Sequence, residues 1–109
     1  MQNGRGYDHT YCLARDGRLA LAARLEAPRS GRIMELFTDQ PGLQVYSGNY
    51  LDGTISGKGG KLIRQSDAIC LEPHIWPDAP NRPDFPSPRL DPGGAYRHHT
   101  VYRFGVRTS

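Results

Sequence analysis

The sequence predicts an all-β chain, an antiparallel sandwich, on three observations. Short runs of aromatic and β-branched residues recur along it. Turn residues punctuate those runs, with thirteen glycines and nine prolines among 109 residues. No stretch carries the three-to-four-residue apolar period of a surface helix. Apolar residues make up 37% and mean hydropathy is −0.64, so the core is lean and one domain is the natural capacity of the chain.

The elements follow in order. Residues 7–13 form a first strand that stops at Asp16-Gly17, a pair favoured in hairpin turns. Residues 19–26 form a second strand, broken by Pro28 and by Ser30-Gly31. Residues 32–38 form a third, with Ile33 and Phe37 on one face and Met34 and Leu36 on the other. Apolar residues on both faces predict a strand covered on both sides. After the turn Asp39-Gln40-Pro41-Gly42 comes a strand over 43–46. Residues 52–61 are Gly-rich without an apolar period and read as a loop. A short strand over 68–73 and a longer one over 97–106 follow, the latter with Thr100, Tyr102, Phe104 and Val106 on a single face. Between them, residues 73–92 hold seven of the prolines. Proline cannot donate to a β ladder, so this stretch is an extended surface connection.

Charge and composition narrow the function. Lys and Arg number 14 against 11 Asp and Glu, but the arginines are scattered singly from Arg5 to Arg107. Nucleic-acid binders concentrate basic residues on one face or in one run, so no nucleic-acid partner is expected. No apolar run of about 18 residues predicts a membrane span. Cys12 and Cys70 are far apart and lack the spacing of a zinc site or a disulfide scaffold. With no basic start leading into an apolar stretch, a reducing cytoplasm is the expected location.

Several motifs point to chemistry and fall short of it. Residues 52–61 resemble a phosphate-binding loop, but Asp52 stands where the first glycine belongs and Gly59 where the hydroxyl on Mg²⁺ belongs. A hairpin loop is the better reading. Pro77, Pro80, Pro83 and Pro86 recur at the polyproline II period of a peptide ligand. Trp76 and Phe85 within that segment favour docking on the chain's own domain instead. His9, His74, His98 and His99 lack metal-ligand spacing, and adjacent histidines on a strand point to opposite faces, so no metal is expected. Glu72 closes an otherwise apolar strand, where partial desolvation would suit a carboxylate to general-base work.

The run from Thr38 through Asp52-Gly53, including Gln40-Pro41-Gly42-Leu43-Gln44, resembles the signature of the aldose 1-epimerases, or galactose mutarotases. So do Cys70-Leu71-Glu72, Trp76-Pro77-Asp78-Ala79-Pro80-Asn81, Phe85-Pro86-Ser87 and Leu90-Asp91-Pro92-Gly93. Tyr7-Asp8-His9-Thr10-Tyr11 is similar to the family's Asp-His-Asn strand, and Ser30-Gly31-Arg32 to its Ser-Gly-Arg turn. The match runs in the right order over nearly the whole chain.

The resemblance implies that residues 1–109 are the C-terminal part of a large mutarotase-type β-sandwich. It implies interconversion of the α and β anomers of free aldoses such as galactose and glucose, with no metal or organic cofactor. Glu72 matches the family's catalytic base, Asp8 a carboxylate that holds sugar hydroxyls, and Gln44 a substrate-contacting amide. The departures are equally specific. Thr10 stands where Asn is usual, and His74 where Gln is common. Family members are roughly three times longer than a one-domain chain, and their acid histidine and sugar-binding Arg and His lie in upstream segments without a counterpart here. The chain is thus expected to carry the base without the acid, and to self-associate or pair with an N-terminal portion. A non-catalytic carbohydrate-binding module, or a truncated inactive homologue, is the alternative.

Overall fold

The fold is taken from a computed structural model, which describes residues 5–14 and 16–108. Among the described residues there are eight strands: β1 (Asp8–Cys12), β2 (Ala20–Ala27), β3 (Arg32–Thr38), β4 (Gly42–Tyr46), β5 (Ile55–Ser56), β6 (Leu62–Ile63), β7 (Cys70–His74) and β8 (Thr100–Val106). They form two three-stranded sheets, ordered β1-β4-β7 and β2-β3-β8, and a small β5-β6 hairpin. Every pairing is antiparallel. Among the described residues helical structure is limited to single 3-10 turns, and no helix is long and apolar enough to cross a membrane.

Two features of the strand layout differ from the sequence reading. Asp16-Gly17 does not join a hairpin, because β1 pairs with β4 and β2 with β3. Asp16 instead closes a local turn by accepting from the backbone N–H of Arg18 (3.1 Å), on the connection between the two sheets. The true hairpin is β2–β3, where the N–H groups of Ser30 and Gly31 donate to Ala27 O and Gly31 adopts φ 69°. Residues 52–61 hold the hairpin loop that the sequence predicts. Gly57 N–H donates to Lys61 O (2.8 Å), and the two-residue strands β5 and β6 flank that turn. The last difference is β7, which runs through Pro73 to His74. β7 is an edge strand, where a missing donor need cost no ladder bond, and pairing with β4 continues on both sides of Pro73.

The β2-β3-β8 sheet has one apolar and one charged face. Leu36 lies between Ala23 and Tyr102, and Met34 between Leu25 and Phe104, and directly opposed residues share a face. On the other face Glu35 accepts from Arg103 (2.7 Å) and pairs with Arg24 (3.4 Å), and the Arg103 guanidinium lies 5.0 Å from the Phe37 ring. The side of β3 that carries Ile33 and Phe37 is therefore covered by long charged side chains, where the sequence reading expected a packed layer.

The buried apolar set among the described residues is small: Leu36, Leu43, Trp76 and Ala79. On the apolar face, Tyr102, Phe104 and Val106 remain 49%, 73% and 66% exposed. Accessible surface totals 8462 Å², against about 6,000 Å² for a compact monomer of this mass. The radius of gyration is 16.9 Å, against about 13 Å for a compact domain of this length. The chain folds as sheets with much of their apolar surface open.

Asp39, in the turn between β3 and β4, ties that crossover to the segment leading into β8. Its carboxylate oxygens meet His98 Nδ1 (3.0 Å) and accept from His99 N–H (3.1 Å). Burial pushes its carboxyl up, but the His99 N–H together with the His98 hydrogen bond and charge outweigh this and hold it below the usual range. A depressed folded pKa gives stability that is complete above the unfolded value of about 3.9 and is lost as pH falls through the lower folded value. Asp39→Asn should therefore lower the urea midpoint at pH 6, and the gap to the unsubstituted chain should close as pH falls below the unfolded value of about 3.9 and through the lower folded one. Other low-pKa carboxylates, Asp16, Asp52 and Asp67, are common to both proteins and cancel. A gap that stays constant down to pH 2 would contradict the assignment to Asp39.

Candidate functional site

Strand register gathers the candidate residues. Thr10 pairs with Gln44 and Gln44 with Glu72, so all three lie in one row across β1, β4 and β7. Side chains alternate along a strand, so Asp8, two residues before Thr10, and His74, two after Glu72, lie on that same face. Gln44 Nε2 donates to Asp8 Oδ1 (2.7 Å). Thr10 Oγ1 donates to Gln44 Oε1 (2.5 Å) and lies 3.0 Å from His74 Nε2. A chain of hydrogen bonds thus runs Asp8–Gln44–Thr10–His74, with Glu72 directly opposite Gln44. Leu43 occupies the other face, 2% exposed, and anchors the sheet from behind.

Local sequence explains why these side chains stand where they do. Before β1, Tyr7 N–H donates to Ser47 Oγ (2.9 Å) and Asn49 Nδ2 donates to Tyr7 O (2.9 Å). Ser47 Oγ also donates to Asn49 Oδ1 (2.5 Å), and Asn49 is 2% exposed. This polar cluster, centred on the buried Asn49, fixes the entry to β1 and with it Asp8. At the other end, Trp76 Nε1 donates to Pro41 O (2.6 Å) and its ring meets Phe85 edge-on at 5.0 Å. Gly42 is required beneath it, since a Cβ there would lie 2.8 Å from the Trp76 ring and 3.0 Å from His74 O. The Pro-rich segment is held to the chain's own domain by these rings and is interrupted by a 3-10 turn at Ala79–Asn81. It does not present a continuous polyproline II ligand.

Glu72 departs from expectation in its environment. It is exposed, where the apolar strand around it had suggested partial desolvation. The apolar neighbour Leu71 alternates to the opposite face, and among the described residues no strand pairs with β7 on its far side. His74 lies on the Glu72 face because β7 continues through Pro73. Thr10 and Asn49 had no role in the sequence reading. The signal for Thr10 was its departure from the family's Asn alongside that of His74, for the two departing residues bond each other. Asn49 follows Gly48 in a turn, a place where a side-chain amide often satisfies backbone groups.

The family model described as aldose 1-epimerase matches residues 1–103. The chain is 46% identical over 101 residues to the galactose mutarotase of Rattus norvegicus and 45% identical over 101 residues to that of Homo sapiens. Each match covers 93% of this chain and 30% of the relative. It is 36% identical over 103 residues to the aldose 1-epimerase of Escherichia coli (strain K12), covering 92% of this chain and 30% of that protein. The chain thus spans about 30% of the length of the curated relatives it matches. A match that extends over nearly all of its residues, and that includes the strands bearing Asp8, Gln44 and Glu72, shows that this chain belongs to the aldose 1-epimerase family.

Proposed function

We propose that the chain handles free aldoses such as galactose and glucose at the β1-β4-β7 face, as the base-bearing part of an anomer-interconverting isomerase. The observation that carries this reading is the shared face of Asp8, Gln44 and Glu72, with the Gln44 amide already bonded to Asp8. Asp8 and Gln44 hold sugar hydroxyls through carboxylate and amide. Glu72 takes the proton of the C1 hydroxyl as the C1–O5 bond breaks and C1 becomes a carbonyl, while an acid protonates O5. Rotation about C1–C2 presents the other carbonyl face, O5 attacks it, and the two protons return. The acid is supplied by a residue outside these 109 positions, and the cytoplasm is the compartment where free aldoses meet the chain.

A chemical-shift titration with galactose tests the sugar reading. Saturable shifts confined to residues of β1, β4 and β7 are expected, and Asp8→Asn should weaken them. No saturation at high sugar would overturn it. A non-catalytic binding module differs in one respect: it keeps sugar affinity while Glu72→Gln leaves anomer exchange untouched.

The apolar face of β2-β3-β8 supports self-association of this chain. It exposes Tyr102, Phe104 and Val106, and β8 is a seven-residue edge strand without proline. The surface exposed beyond that of a compact monomer, roughly 2,400 Å², exceeds the ~800 Å² per partner of a standard interface. Unpaired edges recruit further strands. Sedimentation at tens of micromolar should give a mass above the 12.1 kDa of one chain, and Phe104→Lys should return it towards that value. A clean monomer for the unsubstituted chain would contradict the pairing.

A further inference from the structure

The hydrogen bonds on the site face admit a single arrangement of protons. A carboxylate accepts and does not donate, so the nitrogen of Gln44 is the atom that faces Asp8 (2.7 Å),. The Gln44 oxygen therefore faces Thr10 (2.5 Å), and an amide oxygen also only accepts. The one hydroxyl proton of Thr10 is thereby committed to Gln44. Thr10 has only lone pairs left for His74 Nε2, 3.0 Å away, so His74 must carry a proton on Nε2.

We infer that His74 is a positioning residue of this face: its Nε2–H pins Thr10, Thr10 pins the carbonyl of Gln44, and the Gln44 amide keeps one N–H on Asp8 and one free for a ligand. The continuation of β7 through Pro73 is what brings the imidazole to Thr10. A glutamine at this position would offer a donor at the same ε position of its side chain, so the lock depends on the donor and not on the ring. The orientation of Gln44 is independent of what binds there. Its use in holding a sugar hydroxyl rests on the sugar-binding reading proposed above.

The test uses the ¹⁵N-labelled 109-residue chain. Long-range ¹H–¹⁵N spectra at mildly alkaline pH should show neutral His74 protonated on Nε2, and Thr10→Val should shift it towards a mixture of tautomers. The side-chain NH₂ signals of Gln44 should move in His74→Ala and stay near their original positions in His74→Gln. With galactose, His74→Ala should weaken binding roughly three- to tenfold, the loss of one ordinary hydrogen bond, and His74→Gln should restore it. A His74 proton on Nδ1 in the unsubstituted chain overturns the inference, as do Gln44 amide signals that ignore His74→Ala, whatever the sugar result. If the tautomer and the Gln44 signals behave as stated and the unsubstituted chain takes no galactose, the positioning role stands and the sugar reading falls.

Discussion

In polarimetry of freshly dissolved α-D-galactose, the 109-residue chain alone is expected to speed anomer exchange little beyond buffer, and Glu72→Gln to remove what acceleration there is. A chain extended upstream to include the family's acid histidine is expected to gain a factor of about 10²–10⁴, the usual contribution of a placed proton donor. Base and acid act on the two oxygens attached to C1, so they must converge on one carbon from two sides. Glu72 and His74 share a face but rise side by side from one strand, about 6–7 Å apart at the backbone. His74 Nε2 is moreover engaged with Thr10. If these 109 residues accelerate exchange a hundredfold and Glu72→Gln abolishes it, an acid within the chain does the work and the two-sided argument fails.

Much of the fold could be read from the residues themselves, and the misses share a physical cause. Period-two alternation placed β3 at Arg32–Thr38 and put Thr100, Tyr102, Phe104 and Val106 on one face of β8, as the register with β3 shows. Alternation describes a strand but not its partner. Asp16-Gly17 looked like a hairpin turn because turn chemistry is local, whereas β1 pairs with β4 across more than thirty residues. Pro73 looked like a strand end because proline is excluded from central strands, and nothing local shows that β7 lies at an edge. The two-residue strands β5 and β6 are too short to carry a pattern at all. At the site, family motifs supplied Asp8, Gln44 and Glu72, and register alone brought them to one face. The same dependence explains the environment of Glu72: apolar neighbours in sequence do not desolvate a side chain that alternates away from them. Thr10 and His74 were visible only as two departures from a family pattern. Their 3.0 Å contact joins the two departures in a single hydrogen bond.

Trp76→Ala should be among the most damaging single substitutions in this chain, costing about 3–5 kcal/mol for loss of a buried aromatic side chain. Trp76 is one of four buried apolar residues among those described, so its loss is not spread over a large core. Its indole covers Gly42, meets Phe85 edge-on and donates to Pro41 O, which joins the start of β4 to the Pro-rich segment after β7. Domains of ordinary stability hold only about 5–15 kcal/mol in total, and a chain with this much open apolar surface belongs near the lower end. A urea slope of about 1–1.5 kcal/mol per molar converts the loss into a midpoint lower by 2 M or more, or into a variant that does not fold. Trp76 is the chain's only tryptophan, so the comparison is read by far-UV circular dichroism. Trp76→Phe separates the two contributions: it keeps an aromatic ring over Gly42 and loses the N–H to Pro41 O, worth about 0.5–1.5 kcal/mol. The same substitutions reach the site through His74, two residues before Trp76, whose carbonyl oxygen a Cβ at position 42 would meet at 3.0 Å. Trp76→Phe should therefore disturb the side-chain signals of Gln44 much less than Trp76→Ala does. An alanine variant with an unchanged midpoint would show that the Pro-rich segment is a passive connection, and that the β1-β4-β7 sheet holds its shape without it.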